Sequence, residues 1–366
     1  MAKEYNQNSE KFLLGVLIPY SSMYPMGKQY MGGLKYTLDS VENFEYELFP
    51  EYIAQGQVGQ VTNAINKLNH FHDVDYITGL VSSLTLKGIV GKIQNENPIL
   101  VSNIGEHIPG NVVPGINVQV NSDYLWMQIW AMGYWAVGQF GTKGLLAGSL
   151  YDFGYCFLKM LSIGMTSGKS ESECILASGN FNGVDKPVDM AGIMDTIERE
   201  APDFVFSAFC GKEAQEFVNV FTKRELHKKI PLISSRYLLG GISPELVDEE
   251  LIVYSAIHSF RKISDSDLEE EWTKPYGIFA QLGKEAAKVI INRNDTVHAV
   301  SDSRGNIALT LEKTVESSEI HIMENRLQPT KDLKRKILCD SDVSKIDYKS
   351  VTGLPVSGWQ NIYMGI

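Results

Sequence analysis

Short apolar runs alternate with amphipathic stretches along most of the chain. FLLGVLIP (residues 12–19) is almost continuously apolar, the pattern of a strand buried on both faces. Between Met26 and Val41, the residues Met26, Tyr30, Met31, Leu34, Leu38 and Val41 recur at threes and fours, which predicts a helix. YELFPEYI predicts a second strand, Val58 to Leu68 a second helix, and DYITGLV a third strand. Leu84 to Asn95 and PILVSN continue the series as helix and strand. Strands that alternate with helices imply crossover connections and a mainly parallel sheet covered on both faces.

HIPGNVVPGINVQVNSD interrupts this rhythm and reads as loop and crossover. The alternation then restarts. Asp123 to Phe140 predicts an aromatic-rich helix, KGLLAGSL a strand, and the stretch through Phe157, Met160 and Leu161 a helix. ECILASG, DFVFSAF and IPLISS predict strands, with helices over Met190–Arg199 and Ala214–Leu226 between them. LIVYSAIHSF precedes a second helical stretch, Ser266 to Asn292, divided around Pro275 and Gly277. The C-terminal section is charged and reads as irregular, with late strands at RGNIALTL and EIHIM. The expected fold class is therefore α/β, with doubly wound parallel sheets.

Length and charge narrow the picture. A chain of 366 residues exceeds the usual size of one hydrophobic core, so two lobes are expected. The formal net charge is -11 and no Lys/Arg cluster offers a footprint for nucleic acid. No apolar run is long enough to span a membrane. FLLGVLIPY has the length of a signal core, but the preceding MAKEYNQNSEK is not basic and no A-x-A site follows, so a buried first strand is the better reading. Cys156, Cys174, Cys210 and Cys339 form no C-x-x-C pair and read as free thiols.

Several motifs invite chemistry and do not support it. GMTSGKS (Gly164 to Ser170) resembles a phosphate loop, but three residues rather than four separate its glycines. A helical pattern precedes it and a strand follows, the reverse of the order such a loop needs. Gly168 reads instead as a left-handed helix cap, with Lys169 facing the negative helix end. HFHDVD (His70 to Asp75) gathers two histidines and two aspartates between a helix and a strand, where polar residues face water; no further ligand supports a metal. There is no H-E-x-x-H, G-x-S-x-G or G-x-G-x-x-G. No cofactor is expected, and no catalytic triad or carboxylate pair is legible.

The collinear order of several modest motifs resembles the type I periplasmic-binding-protein fold, and within it the branched-chain amino acid binding proteins of ABC transporters. GVLIPYSSMYPMGKQYMGGLKYTLD is similar to that family's first strand, ligand loop and first helix. DYITGLVSSLTLKGIV and PILVSN are similar to its third and fourth strands with their ligand loops. YDFGY, PDFVFSAFCGKEAQEFV, EEEWTKPYGIFAQLGKEAAKVII and SRGNIALTL follow in the family's order. The resemblance implies two doubly wound lobes joined by three crossovers, near 119–122, 254–259 and 325–335. It divides the chain into a lobe of 10–121 plus 256–328 and a lobe of 122–255 plus 329–366.

In open α/β sheets, ligands sit beyond the carboxyl ends of the strands. That rule selects Tyr20, Ser21, Ser22 and Tyr24, then Ser82 and Ser83, then Ser102, Asn103 and Glu106. From the second lobe it selects Tyr151, Asp152 and Phe153, Phe209 and Cys210, and Ser235, Arg236 and Tyr237. Hydroxyls and backbone amides can hold a carboxylate or carbonyl, and aromatic walls exclude water. Each has a plainer role: Ser82 or Ser83 as helix cap, Ser102 and Asn103 as turn residues, the aromatics as core. The amino-acid-binding members commonly carry an acid after the strand that IPLISS matches; here Arg236 stands there. Arginine attracts a carboxylate and repels an ammonium, and Asp152 or Glu106 could supply the missing negative charge.

The resemblance implies a non-catalytic protein that closes on an amino acid, amide or small carboxylate and delivers it to an ABC permease from outside the cytoplasm. The alternative is a cytoplasmic ligand sensor similar to the amide sensors of amidase operons, with a regulatory protein as partner.

Overall fold

The computed structural model describes residues 11–20, 25–89, 97–107, 118–179, 188–243, 247, 249–258, 277–292, 319–329, 333–347, 351 and 358–359. The first half runs β1 (Phe12–Ile18), α1 (Met26–Asp39), β2 (Tyr46–Tyr52), α2 (Val58–His70), β3 (Tyr76–Leu80), α3 (Ser83–Ile89), β4 (Ile99–Asn103) and β5 (Val118–Ser122). Its five strands form one sheet in the order β2-β1-β3-β4-β5, parallel throughout. The central strands β3 and β4 are buried along their whole length because helices cover both faces. β5 falls within the stretch read as loop. Its VQVNS has polar residues at alternate and terminal positions, and the Pro/Gly/Asn run before it masks the strand signal.

The second half continues with α4 (Leu125–Gln139), β6 (Lys143–Gly148), α5 (Phe157–Gly168), β7 (Glu173–Ser178), α6 (Met190–Glu200), β8 (Phe204–Ser207), α7 (Gly211–Lys223), β9 (Leu232–Ser234), the short α8 (Arg236–Gly240) and β10 (Leu251–His258). Then come α9 (Ile278–Ile291), β11 (Ile320–Leu327) and β12 (Leu333–Ser341). The second sheet has seven strands in the order β12-β11-β10-β9-β8-β6-β7. Five are mutually parallel; β11 and β12 add an antiparallel edge.

Three expectations change. Residue 256 lies inside β10, so a lobe break at 255/256 cuts a strand. β11 pairs with β10 over its full length, from Leu251 opposite Leu327 to His258 opposite Ile320, which puts 320–327 in the second sheet rather than the first lobe. At the third expected crossover, 325–335, residues 325–327 of β11 and 333–335 of β12 pair with each other as antiparallel neighbours in the second sheet, so the chain does not change sheets between them. The charged tail, read as irregular, contains β12; an edge strand with one wet face carries the lysines, arginine and aspartate that hid it. RGNIALTL and the residues before Gly277 of the predicted helical stretch lie outside the described residues.

Helix pairs close both lobes. α9 returns from late in the chain to pack on α1 and against β4 and β5 of the first sheet. The contact is close: a Cβ on Gly33 would collide with the Ala280 carbonyl, and one on Gly283 with the Tyr30 carbonyl. α4, apolar nearly all round, packs on α5 in the same way. A Cβ on Gly133 would lie 2.6 Å from the Leu161 carbonyl oxygen, and one on Gly164 would strike that of Trp130. This accounts for GMTSGKS. Gly168 is the last residue of α5, with no left-handed turn; it gives room to Val137 and the Tyr134 carbonyl of α4, and Lys169 caps the helix by donating its N–H to the Met165 carbonyl at 2.9 Å.

Candidate functional site

The carboxyl tips of the two parallel sheets meet at one seam, and the loop after β4 lies in it. Asn103 fixes the start of that loop. Its Oδ1 accepts from the Gly105 N–H at 3.0 Å and from the Ser122 hydroxyl at 2.8 Å, and its Nδ2 donates to the Val81 carbonyl at 3.4 Å. Gly105 then turns with φ +74, and a Cβ there would sit 2.7 Å from Tyr124 Cα and Leu125 N. Only glycine combines that backbone with that approach. The Leu125 and Trp126 N–H groups donate to the Ile104 and Gly105 carbonyls, at 2.9 and 3.0 Å, so the loop also anchors the start of α4.

Glu106 follows, fully buried. Its Oε1 accepts from the Ser83 N–H at 3.2 Å, while its Oε2 is buried with no hydrogen-bond partner. Burial pushes its carboxyl up to about 7, against a weaker opposing pull from the backbone amides of Glu106, Ser83, Ile104 and Gly105. The Glu106 carbonyl accepts from the Cys156 N–H of the second lobe at 3.0 Å. Burial also lifts the Cys156 thiol and the Tyr155 phenol above their ordinary ranges, and the Glu106 charge adds to both effects.

The second lobe's wall is the turn between β6 and α5. Asp152 Oδ2 accepts from both the N–H and the hydroxyl of Ser149 at 2.8 Å, which sets the turn. The Tyr151 and Tyr155 hydroxyls lie 2.6 Å apart. Tyr151 stacks on Trp359 at 5.7 Å between ring centroids, and the Trp359 indole N–H donates to the Tyr151 carbonyl at 2.9 Å. The Trp359 carbonyl lies 2.7 Å from His107 Nε2, so this residue touches the loops of both lobes. Burial holds the His107 imidazole below its usual range.

Arg236 lies at the crossover beside this seam. It is buried, and its Nη1 stands 3.4 Å from Oδ1 of Asp123, the residue between β5 and α4; the Tyr237 hydroxyl reaches the other Asp123 oxygen at 3.5 Å. Tyr124, in left-handed backbone (φ 52), packs its ring on His258 at the end of β10, with centroids 5.1 Å apart. The ends of β5 and β10 therefore come together here, through Asp123 and Tyr124 on one side and His258 on the other.

The residues selected from sequence separate accordingly. Ser83, Tyr151 and Asp152 border the seam around Glu106, and Arg236 lies at its base. Ser82 is buried beside them, where its hydroxyl accepts from the Thr85 N–H at 3.1 Å and caps α3. Ser102 lies under α1, with its hydroxyl 3.4 Å from that of Tyr30, and Asn103 pins strand ends as described. Phe153 packs against the core. Phe209 is fully buried with its ring on Phe217 at 5.3 Å, in the core under α7. Tyr20 is exposed, and Ser21 and Tyr24 lie outside the described residues. Tyr155, His107, Asp123 and Trp359 were not selected. Tyr155 stands in the quoted YDFGY, whereas nothing local marks Trp359 or joins Asp123 to an arginine 113 positions later.

The HFHDVD cluster has structural roles. Asp75 accepts from the Leu13 N–H at 2.8 Å, and His72 packs on Phe49 at 4.9 Å between ring centroids. Cys156 and Cys210 are buried free thiols; Cys339 is exposed on β12.

No family model matches the sequence, and no curated protein does. Solved structures do. A solute-binding protein of an ABC transporter from Rhodopseudomonas palustris, in complex with benzoate, superposes with a TM-score of 0.63 at 17% identity, covering 90% of this chain and 96% of that one. A leucine-binding protein from Thermotoga maritima gives 0.57 at 15% identity over 92% of this chain and 100% of its own. An amino acid ABC transporter substrate-binding protein from Pseudomonas fluorescens gives 0.64 at 11% identity over 95% and 100%. The chain has the type I periplasmic-binding-protein fold. Among the described residues, no helix is long and apolar enough to cross a membrane.

Proposed function

We propose that this protein is the solute-binding component of an ABC importer, holding a small molecule between two lobes without altering it covalently. The first lobe comprises the five-stranded sheet with α9, and the second the seven-stranded sheet. The observation that carries this reading is Glu106: a fully buried carboxyl with an unpartnered oxygen, where the strand tips of both sheets meet. Burying a polar group without a partner costs stability, and a ligand that supplies the partner recovers it. The likeness to benzoate-, leucine- and amino-acid-binding proteins supports the transport role.

Closure follows the difference in ligand affinity between closed and open forms. Ser83, Glu106 and Tyr151 are the contacts we assign across the seam, with Asp152 shaping the turn and the Asp123–Arg236 pair bracing the crossover. The closed form is what a permease would recognise, outside the cytoplasm. The test is a thermal-shift screen of amino acids, amides, amines and aromatic acids, with small-angle scattering on every hit. A ligand that raises the transition and shrinks the radius of gyration is expected. A hit that is consumed on incubation, or that binds with no change of shape, would reject this function.

A further inference from the structure

We propose that the site selects an organic cation, an amine or guanidine without a carboxylate, whose N–H groups bind the free oxygen of Glu106. The inference rests on the solute-binding reading above and goes beyond it by fixing the charge of the ligand.

Three observations converge. First, Glu106 Oε2 is buried without a partner, while Oε1 already accepts a backbone N–H. The neutral acid could donate as well as accept, but the ionised form, which prevails above about pH 7, accepts only, so the partner missing there is a donor. Second, no cationic side chain contributes to the charge state of Glu106 among the described residues; only burial and backbone amides do. The groups facing it are His107 on its own loop and Tyr155 and Cys156 on the opposite turn, where burial favours the neutral form of each. On the second lobe, beyond the effect of burial, the Asp152 charge raises both Tyr155 and Glu213, so a further negative charge is disfavoured there. Glu213 is itself raised to about 7, first by burial and then by Asp152 and Glu216. Third, Arg236, the cation that would draw a carboxylate, is already held by Asp123. A carboxylate ligand would meet this acidic seam with its natural partner engaged; a cation meets an unpaired acid.

The aromatic rings of Tyr151 and Tyr155 beside the carboxyl make benzylamine a suitable probe, with agmatine as the non-aromatic cation. Benzoate and leucine are the carboxylate-bearing comparisons. Titration calorimetry on the full chain is expected to show tighter binding of at least one cation than of either carboxylate. Glu106→Gln should weaken the cation about tenfold or more, as loss of a buried charge-assisted hydrogen bond does. With the Glu106 carboxyl near 7, cation binding must displace its proton in acid, so affinity should fall about tenfold from pH 8 to pH 6. Glu106→Gln should abolish that dependence. Its melting transition, unchanged or raised without ligand, shows that the variant folds. Tighter binding of benzoate or leucine than of both cations overturns the inference and leaves the solute-binding role intact. Equal cation affinity in Glu106→Gln also overturns it. Absence of saturable heat from all four probes overturns it as well, while the broader screen decides the binding role separately.

Discussion

Tyr30 and Gly33 stand on α1 as Trp130 and Gly133 stand on α4. In each helix the aromatic carbonyl lies under a glycine of the partner helix, Gly283 or Gly164, and the glycine one turn on lies under a partner carbonyl. The two lobes thus use one packing device, with backbone against backbone and no side chain between. They differ in what surrounds it. The Tyr30 hydroxyl lies 2.8 Å from Thr78 Oγ1 and 3.4 Å from Ser102 Oγ in the sheet below, whereas the Trp130 indole N–H has no partner and its helix is almost wholly apolar. Their strand tips differ as well. The buried cation at the crossover, Arg236, has a counter-charge in Asp123, whereas no cationic side chain among the described residues acts on the buried acid of the first lobe, Glu106, and one of its oxygens has no hydrogen-bond partner.

Breaking the paired charge gives the largest effect. Arg236→Ala should cost about 3–5 kcal/mol in urea unfolding, because it strands Asp123 in the interior. Neutralising the unpaired charge should do the reverse. The Glu106 carboxyl titrates near 7 in the folded chain and lower when unfolded, so the native protein binds the extra proton between those values. Wild-type stability therefore declines as pH rises through that window, and Glu106→Gln should be more stable at pH 8 by up to about 3 kcal/mol. Melts at pH 4 and pH 8 check it; the two proteins should converge at the lower pH. Gly33→Ala and Gly164→Ala should each cost about 1–3 kcal/mol, since backbone cannot give way as a side chain can. Similar losses in the two variants would sharpen the equivalence of the helix pairs, and a loss confined to one would break it. Smallest is Tyr30→Phe, about 1 kcal/mol for loss of the hydroxyl's buried contacts with Thr78 and Ser102, read from the same urea curves.

Much of this architecture is legible along the chain because burial on both faces leaves predominantly apolar strands, most clearly FLLGVLI. β5 and β12 escape that signal for opposite reasons. One is short and polar behind a Pro/Gly run, and the other is a long edge strand with a wet face. The site is less legible. Loop position after a strand brings Ser83, Glu106 and Tyr151 to notice, but it does not show that the Ser82 hydroxyl caps α3 or that the Ser102 hydroxyl lies against Tyr30. Nor can it show that Arg236 is already engaged, because the partner is Asp123 on the far side of the second lobe's sequence.

The late return of α9 has a consequence for biosynthesis. Until translation has passed Ile291, Tyr30 and Leu34 on α1 have no helix to cover them, whereas α4 and α5 are neighbours in sequence and can dock as soon as they emerge. The α4–α5 pair can thus form before the α1–α9 pair, while the second sheet is itself completed only by β11 and β12, which emerge after α9, so each lobe waits on a late segment of the chain.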